Sequence, residues 1–138
     1  MEITLAQLNE AGRDAFPGLV GIEVDTADDG LVRAHLDLRG DHLAPNGYLH
    51  AGAVITLADT ACGYGCILSL PDGAVGFTTI ELKTNFLRTA LAGTIACEAT
   101  RIHGGRSTQL WDATVADGEG RTLALFRCTQ LVLRASAA

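Results

Sequence analysis

Charge is scarce in this sequence. Only 19% of its 138 residues are charged and 48% are hydrophobic, whereas an average domain has roughly 25% charged residues. Such a chain buries enough apolar surface to offset its ordering entropy, which excludes a disordered protein. Cations are the scarcer sign, with ten Lys and Arg against sixteen Asp and Glu. This balance argues against binding nucleic acid through bulk charge, and the length predicts a single domain, residues 1–138.

Several catalytic and metal-binding patterns are also missing. None of the three serines, Ser69, Ser107 and Ser136, lies in a G-x-S-x-G motif, which disfavours an α/β-hydrolase nucleophile. The four histidines show no metal-ligand spacing, so we expect no metal and no cofactor. The four cysteines form no C-x-x-C pair and no disulfide framework. Since no apolar signal segment opens the chain, we expect a cytoplasmic protein that does not associate with membranes.

Hydrophobic patterns predict the order of the structural elements. A capping box at Thr4 begins a short amphipathic helix, which Phe16-Pro17-Gly18 is expected to end. Residues 51–70 carry a single charge, at Asp59. That stretch is long enough to cross a bilayer, but its central charge favours a helix buried inside a soluble fold. The predicted strands cover residues 22–27, 31–38, 77–86, 93–103, 107–116 and 122–133. These elements predict an α+β fold with one long helix against an antiparallel sheet.

Asp59 is the most informative residue in the sequence. Its neighbours one helical turn away are Ile55, Thr56, Cys62 and Gly63, and none of them is a cation. Burying an ionised carboxylate without a partner is costly and raises its pKa. Acids perturbed in this way are often catalytic. The alternative is a structural carboxylate that a hydroxyl or a backbone group from another element satisfies.

The start of the same helix is a second candidate site. No Ser, Thr or Asp directly precedes Ala51, so the N–H groups of Ala51, Gly52 and Ala53 lack an obvious acceptor. Such donors, together with the helix dipole, can stabilise an oxyanion, although water or Asn46 could cap them instead. Ala51 and Asp59 are eight residues apart, roughly 12 Å along a helix. One helix cannot bring both to one carbonyl, whereas a two-fold dimer could, which predicts an interfacial active site.

Three short motifs follow one another along the sequence. His50-Ala51-Gly52 is followed, nine residues after the histidine, by Asp59 in the sequence L-A-D-T-A. Downstream come T-T-I-E-L-K-T-N-F-L-R at residues 78–88 and G-R-S-T-Q at residues 105–109. In this order and spacing they resemble the hotdog-fold acyl-CoA thioesterases of the phenylacetate-degradation (PaaI-like) and 4-hydroxybenzoyl-CoA thioesterase groups. The resemblance extends over residues 21–133.

The resemblance implies an acyl-CoA thioesterase acting on an aryl- or medium-chain substrate. Its sheet would wrap around the central helix, subunits would pair through residues 77–86, and dimers would pair into a homotetramer. Asp59 would be the nucleophile or the general base. The Ala51 N–H would polarise the thioester carbonyl, with His50 before it and Gly52 assisting. Substrate and coenzyme A would contact Asn46, Arg88, Arg106, Ser107, Thr108 and Arg134.

Two positions depart from the family pattern, and two other functions stay open. Ala51 stands where the family usually has Gly, which narrows the pocket but keeps the N–H. Ala44 stands where many members have Asn or Gln, so Asn46 substitutes or that contact is absent. A hotdog hydratase would have His five residues after Asp59, where this chain has Tyr64. The other alternative is a non-catalytic acyl-CoA-binding module.

Charge is unevenly divided along the chain. Residues 1–76 carry three cations and eleven acids, whereas residues 77–138 carry seven cations and five acids. Nine of the ten cations are Arg, whose planar guanidinium suits phosphate. The second half could therefore hold a small polyanion such as coenzyme A.

Overall fold

The computed structural model describes residues 2–136 and confirms the predicted α+β fold. Its helices are α1 (Leu5–Arg13), α2 (Phe16–Val20) and α3 (Ala51–Leu68). Its strands are β1 (Ile22–Asp28), β2 (Leu31–Asp37), β3 (Ala74–Phe86), β4 (Thr94–Gly104), β5 (Thr108–Ala116) and β6 (Thr122–Arg134). The strands form one antiparallel sheet in the order β1-β2-β4-β5-β6-β3. α3 packs against this sheet, and their facing apolar side chains form the core.

The N-terminal region contains one helix more than the sequence predicted. The capping box between Thr4 and Gln7 is confirmed. Pro17, expected to end a helix, instead lies in the first turn of α2, where its fixed φ suits a helix start. The Arg39 guanidinium and His42 Nε2 donate to carbonyls in the last turn of α2 at 2.6–2.9 Å. These donors lie about twenty residues further along the chain than the carbonyls that they contact. Local sequence patterns therefore did not reveal the helix.

The two edges of the sheet differ. At β1 the Asn9 side chain accepts from the Val24 N–H and donates to the Val24 carbonyl, at 2.9 and 3.0 Å, which blocks strand addition there. At the other edge, β3 is 13 residues long, has no buried residue and, within the described residues 2–136, pairs with β6 alone. Ile80 and Phe86 are 56% and 46% exposed. An edge strand so long and so apolar is suited to pair with another chain.

α3 lies close to the sheet because its glycines lack side chains. The whole helix is apolar enough, by composition, to cross a membrane. Its contacts with β2, β4 and β5 nevertheless make it the core helix of this fold. A Cβ at Gly65 would lie 2.3 Å from Cη2 of Trp111, and a Cβ at Gly63 would lie 3.0 Å from Cζ of Phe77. Trp111 is fully buried and is therefore a core residue.

We expect Gly65→Ala to destabilise the protein. The added methyl meets a fully buried indole that has no room to move, and overpacking of this kind costs about 1–3 kcal/mol. The gain in helix propensity recovers only about 0.5–1 kcal/mol. Urea unfolding should show a lower midpoint with an unchanged slope. Gly40→Ala is the matched control, since a Cβ at Gly40 has no neighbour within 4 Å; equal midpoints for the two variants would contradict this packing argument.

Candidate active site

Asp59 lies in the middle of α3 and is half-buried. One turn to either side, its helix face continues through Thr56 and Gly63. The Thr79 hydroxyl of β3 lies 3.1 Å from Asp59 Oδ1 and is its recorded hydrogen-bond partner. Burial raises the pKa of the Asp59 carboxyl, and the hydrogen bond to Thr79 opposes that rise. The carboxyl is therefore held by a hydroxyl, and it stays accessible enough to exchange a proton.

Sequence reasoning did not single out Thr79. It lies 20 residues after Asp59, on the strand that the α3 face approaches. Nothing in the local pattern distinguishes Thr79 from Thr78 beside it. Only the β-strand alternation, which sends the two side chains to opposite faces, could have indicated that one of them meets the helix.

The start of α3 is capped by its own preceding residue. His50 Nδ1 accepts from the Gly52 N–H at 2.8 Å, and the His50 carbonyl accepts from the Ala53 N–H at 3.0 Å. The expectation that Gly52 and Ala53 lack acceptors was therefore wrong, because an imidazole nitrogen can do the work of a Ser or Asp oxygen. Within residues 2–136, no acceptor lies on the Ala51 N–H. The site is thus reduced to one free backbone donor.

The loop before α3 fixes the position of His50. Asn46 Oδ1 accepts from the Tyr48 N–H at 3.1 Å, and Gly47 adopts a φ of 85°, which suits a tight turn. The turn is closed by a hydrogen bond from the Ala44 N–H to the Tyr48 carbonyl at 2.7 Å. Asn46 therefore shapes the loop and does not cap α3, so the alternative in which it does is wrong. The His50 N–H then donates to the buried His42 at its carbonyl, at 2.9 Å.

The two chemical elements of the site do not meet within one chain. Ala51 is the first residue of α3, and Asp59 lies eight residues further along it. At 1.5 Å per residue the two positions are roughly 12 Å apart. A carbonyl group needs its oxygen near a donor and its carbon near the attacking oxygen, about 3 Å in each case. Ala51 and Asp59 of one copy of this chain therefore could not act on the same carbonyl.

The predicted coenzyme A residues divide into two groups. Arg134 donates to the carbonyls of Asp72 and Arg106 at 2.8 and 2.9 Å. The Ser107 carbonyl accepts from the Val132 N–H of β6. Arg106, Ser107, Thr108 and Arg134 therefore gather at one end of the sheet. Arg88 lies at the other end, where it donates to the Thr122 carbonyl at 2.9 Å. β6 separates the two groups by its whole length.

An apolar concavity of about 280 Å³ borders the start of α3. It is lined by Phe16, Val20, Asp41, His42, His50, Gly52, Ala53 and Thr56. Four other aromatic side chains do not line this concavity: Trp111 is fully buried in the core, Tyr64 lies against Gly12 of α1, Phe77 lies against Gly63 of α3, and Tyr48 is exposed. α2, which the sequence did not predict, supplies Phe16 and Val20 to this concavity instead.

Comparison with known proteins agrees with this fold. The family model of the Thioesterase superfamily matches residues 46–124, from the loop before α3 to the start of β6. The 1,4-dihydroxy-2-naphthoyl-CoA hydrolase of Listeria monocytogenes is 32% identical over 110 residues, which make up 80% of this chain and 89% of that protein.

Solved structures extend the agreement to nearly the whole chain. A mutant of thioesterase PA1618 from Pseudomonas aeruginosa matches with a TM-score of 0.90 at 28% identity, over 96% of this chain and 95% of that one. The Escherichia coli PaaI protein of the phenylacetic acid degradation operon matches with a TM-score of 0.76 at 26% identity, over 89% and 88%.

An antiparallel sheet packed against one long central helix is the hotdog architecture of these structures. The chain belongs to the Thioesterase superfamily. More narrowly, it is a PaaI-like thioester hydrolase, as the resemblance implied.

Proposed function

We propose that this protein hydrolyses an aryl- or medium-chain acyl-CoA to the free acid and coenzyme A. The observation that carries the proposal is the position of Asp59. It is a half-buried carboxyl on the core helix α3, and its hydrogen bond comes from a hydroxyl, that of Thr79. A structural carboxylate at this position would gain more from a cation. The preference for an aryl group is supported by the name of the Listeria relative. The apolar concavity beside Ala51 supports an apolar acyl group.

In the proposed mechanism, Asp59 takes a proton from water, and the resulting hydroxide attacks the thioester carbon. The oxygen of the tetrahedral intermediate carries the negative charge and accepts from the Ala51 N–H of the partner subunit. The C–S bond then breaks, and the thiolate of coenzyme A takes the proton back from Asp59. Direct attack by Asp59 is the alternative. Direct attack expels the thiolate of coenzyme A and forms a mixed anhydride of Asp59 and the acyl group. Trapping of that anhydride, or ¹⁸O from labelled water in the Asp59 carboxyl after a single turnover, would show the direct route.

We propose that the dimer forms through β3. The proposal is supported by the absence of any pairing beyond β6 in the described chain and by the exposed apolar residues of the strand. Antiparallel pairing of two β3 strands would set the end of one beside the start of the other. Arg88 of the partner subunit would then approach the group around Arg134, and together they would hold the phosphates of coenzyme A. We also propose that two such dimers form the homotetramer.

The proposed location is the cytoplasm. All four cysteines are free and buried as thiols, which is compatible with a reducing compartment.

The experiment that tests this function is thiol release from a panel of acyl-CoAs. We expect turnover with benzoyl- and medium-chain acyl-CoA and a much lower kcat/KM with long-chain acyl-CoA, because the concavity is small. Calorimetric binding of coenzyme A should be measured on the same preparation. Binding without thiol release would favour the non-catalytic module over the enzyme.

Mixed dimers test the interfacial site. The Asp59→Asn subunit keeps its Ala51 N–H, and an Ala51→Pro subunit, which lacks that N–H, keeps its Asp59. A purified heterodimer of the two inactive variants should therefore contain one intact site and recover about half of the wild-type activity, as two-fold symmetry requires. Two differently tagged subunits, co-expressed and purified over both tags, provide the sample. A heterodimer as inactive as its parents would contradict a site shared between subunits.

A further inference from the structure

The Thr79 hydroxyl lies within hydrogen-bond distance of two side-chain oxygen atoms. Its Oγ1 lies 3.1 Å from Asp59 Oδ1 on one side and 2.8 Å from Gln130 Oε1 on the other. Gln130 stands directly opposite Thr79 in the β3–β6 pairing and is fully buried. A hydroxyl carries one proton and can donate it to only one of these two oxygens. The second contact needs a proton from Asp59 or from Gln130.

Two arrangements supply the missing proton. If Asp59 is protonated, it donates to Thr79, which donates to the Gln130 carbonyl oxygen. If Asp59 is ionised, the Gln130 amide must turn by half a rotation so that its NH₂ donates to Thr79, and Thr79 then donates to Asp59. The other end of the Gln130 amide keeps a hydrogen-bond partner in either orientation. It lies 3.4 Å from Cys128 Sγ, and a thiol is both a weak donor and a weak acceptor.

We infer that Gln130 is a positioning residue for Asp59: its amide donates to Thr79 and so directs the Thr79 proton onto the ionised carboxylate. The inference rests on the proposed catalytic role of Asp59. A base must be ionised to take a proton from water, and the amide orientation that satisfies Thr79 in that state is the one in which Gln130 is a donor. The turn of the amide accompanies each transfer of a proton to and from Asp59.

Within residues 2–136, Asp59 has no salt-bridge partner that could do this work. The buried thiols are Cys62 and Cys66 of α3, Cys97 of β4 and Cys128 of β6, and burial raises the pKa of Cys66 to about 11. A hydrogen bond with Cys128 and burial raise the pKa of Cys62, and burial raises the pKa of Cys97 to about 12, so both stay neutral. Of the charged side chains of β3 and β6, Glu81, Lys83 and Arg127 lie on the opposite face of the sheet, where they line a separate concavity. The fourth, Arg134 at the end of β6, donates to the carbonyls of Asp72 and Arg106.

The test measures the pKa of Asp59 directly, by ¹³C NMR of aspartate-labelled protein with Asp59→Asn as the assignment control. Thr79→Val removes the donor and should raise the pKa by about one to two units, which corresponds to a hydrogen bond to a charged group. Gln130→Met should raise it in the same direction by less. Adding Gln130→Met to Thr79→Val should change nothing further, because Gln130 acts through the hydroxyl. Thr79→Ser should restore the wild-type value.

Gln109→Met is the matched control. Gln109 pairs with Gln130 across β5 and β6 and is equally buried, but its amide bonds Ser69 and Trp111. Its loss should lower stability and leave the Asp59 pKa unchanged. An unchanged pKa in Gln130→Met, or a shift that adds fully to that of Thr79→Val, would overturn the inference. The NMR readout needs no turnover, so a protein that releases no thiol but shows these shifts would contradict the proposed function and keep the inference.

The pH dependence of kcat/KM gives a second readout. Since Asp59 must be ionised, its acid limb should move to higher pH in Thr79→Val and in Gln130→Met by the same amounts as the NMR values. An acid limb that stays in place while the pKa moves would show that Thr79 and Gln130 do not act through the base.

Discussion

Asp59→Asn should abolish thioester hydrolysis while leaving the fold intact. The amide is close in shape to the carboxylate and can still contact Thr79, but it can neither take a proton from water nor attack the thioester. General-base catalysis supplies about 10²–10⁴-fold in rate, and kcat should fall by at least that factor. Because the residues proposed to hold coenzyme A lie elsewhere, KM should change little. Thiol release under saturating acyl-CoA measures both constants, and turnover at the wild-type rate would remove Asp59 from the mechanism.

The same substitution should not weaken the folded state at neutral pH. Burial raises the pKa of Asp59 in the folded protein, so the native state binds the proton more tightly than the unfolded chain. Its contribution is therefore most favourable below the ordinary carboxyl pKa and is lost as the pH rises through the raised value. At neutral pH the buried, ionised Asp59 carboxylate lowers the free energy of unfolding, whereas the neutral Asn side chain does not. Urea midpoints of the two proteins should be equal, or higher for the variant, at pH 7. A lower midpoint would mean that Asp59 is a structural residue.

Much of the fold followed from local patterns. In the sequence Val32, Ala34 and Leu36 alternate with Arg33 and His35, and these three are the buried residues of β2. The run of low charge located α3. Asp59 was identified because a charge inside that run conflicts with burial. Each of these signals lies within a few neighbouring residues, where the period of a helix or strand converts sequence into geometry.

The features that the sequence did not reveal depend on contacts between distant residues. α2 is held by Arg39 and His42, and the Asp59 carboxyl is met by Thr79, which is itself met by Gln130. The cap on α3 was missed for a different reason, since His50 is adjacent in sequence but is an unusual capping residue. The division of the site between two helix positions was predicted, because the rise of a helix sets that distance.

Ala51→Pro is expected to lower kcat by about 10²–10³-fold, the loss seen when one oxyanion donor is removed. Ala51 is the first residue of α3, a position where proline is well tolerated because its fixed φ suits the helix start. The preceding His50 already has the extended backbone that a following proline requires, with φ −67° and ψ 132°. The substitution therefore deletes the one free N–H at the helix start with little disturbance of the helix.

Ala51→Gly is the control that separates the N–H from the side chain. It keeps the donor and removes only the methyl group, so its kcat should stay near that of the wild type. The His50 cap on Gly52 should persist in both variants, and equal urea midpoints would show that the helix start is intact. If Ala51→Pro retains the wild-type kcat, the oxyanion is held elsewhere. If Ala51→Gly loses activity equally, the methyl group rather than the N–H serves catalysis. We expect kcat to fall in Ala51→Pro and to stay unchanged in Ala51→Gly. Because the N–H is lost only in the first variant, this difference would assign the oxyanion site to this helix start.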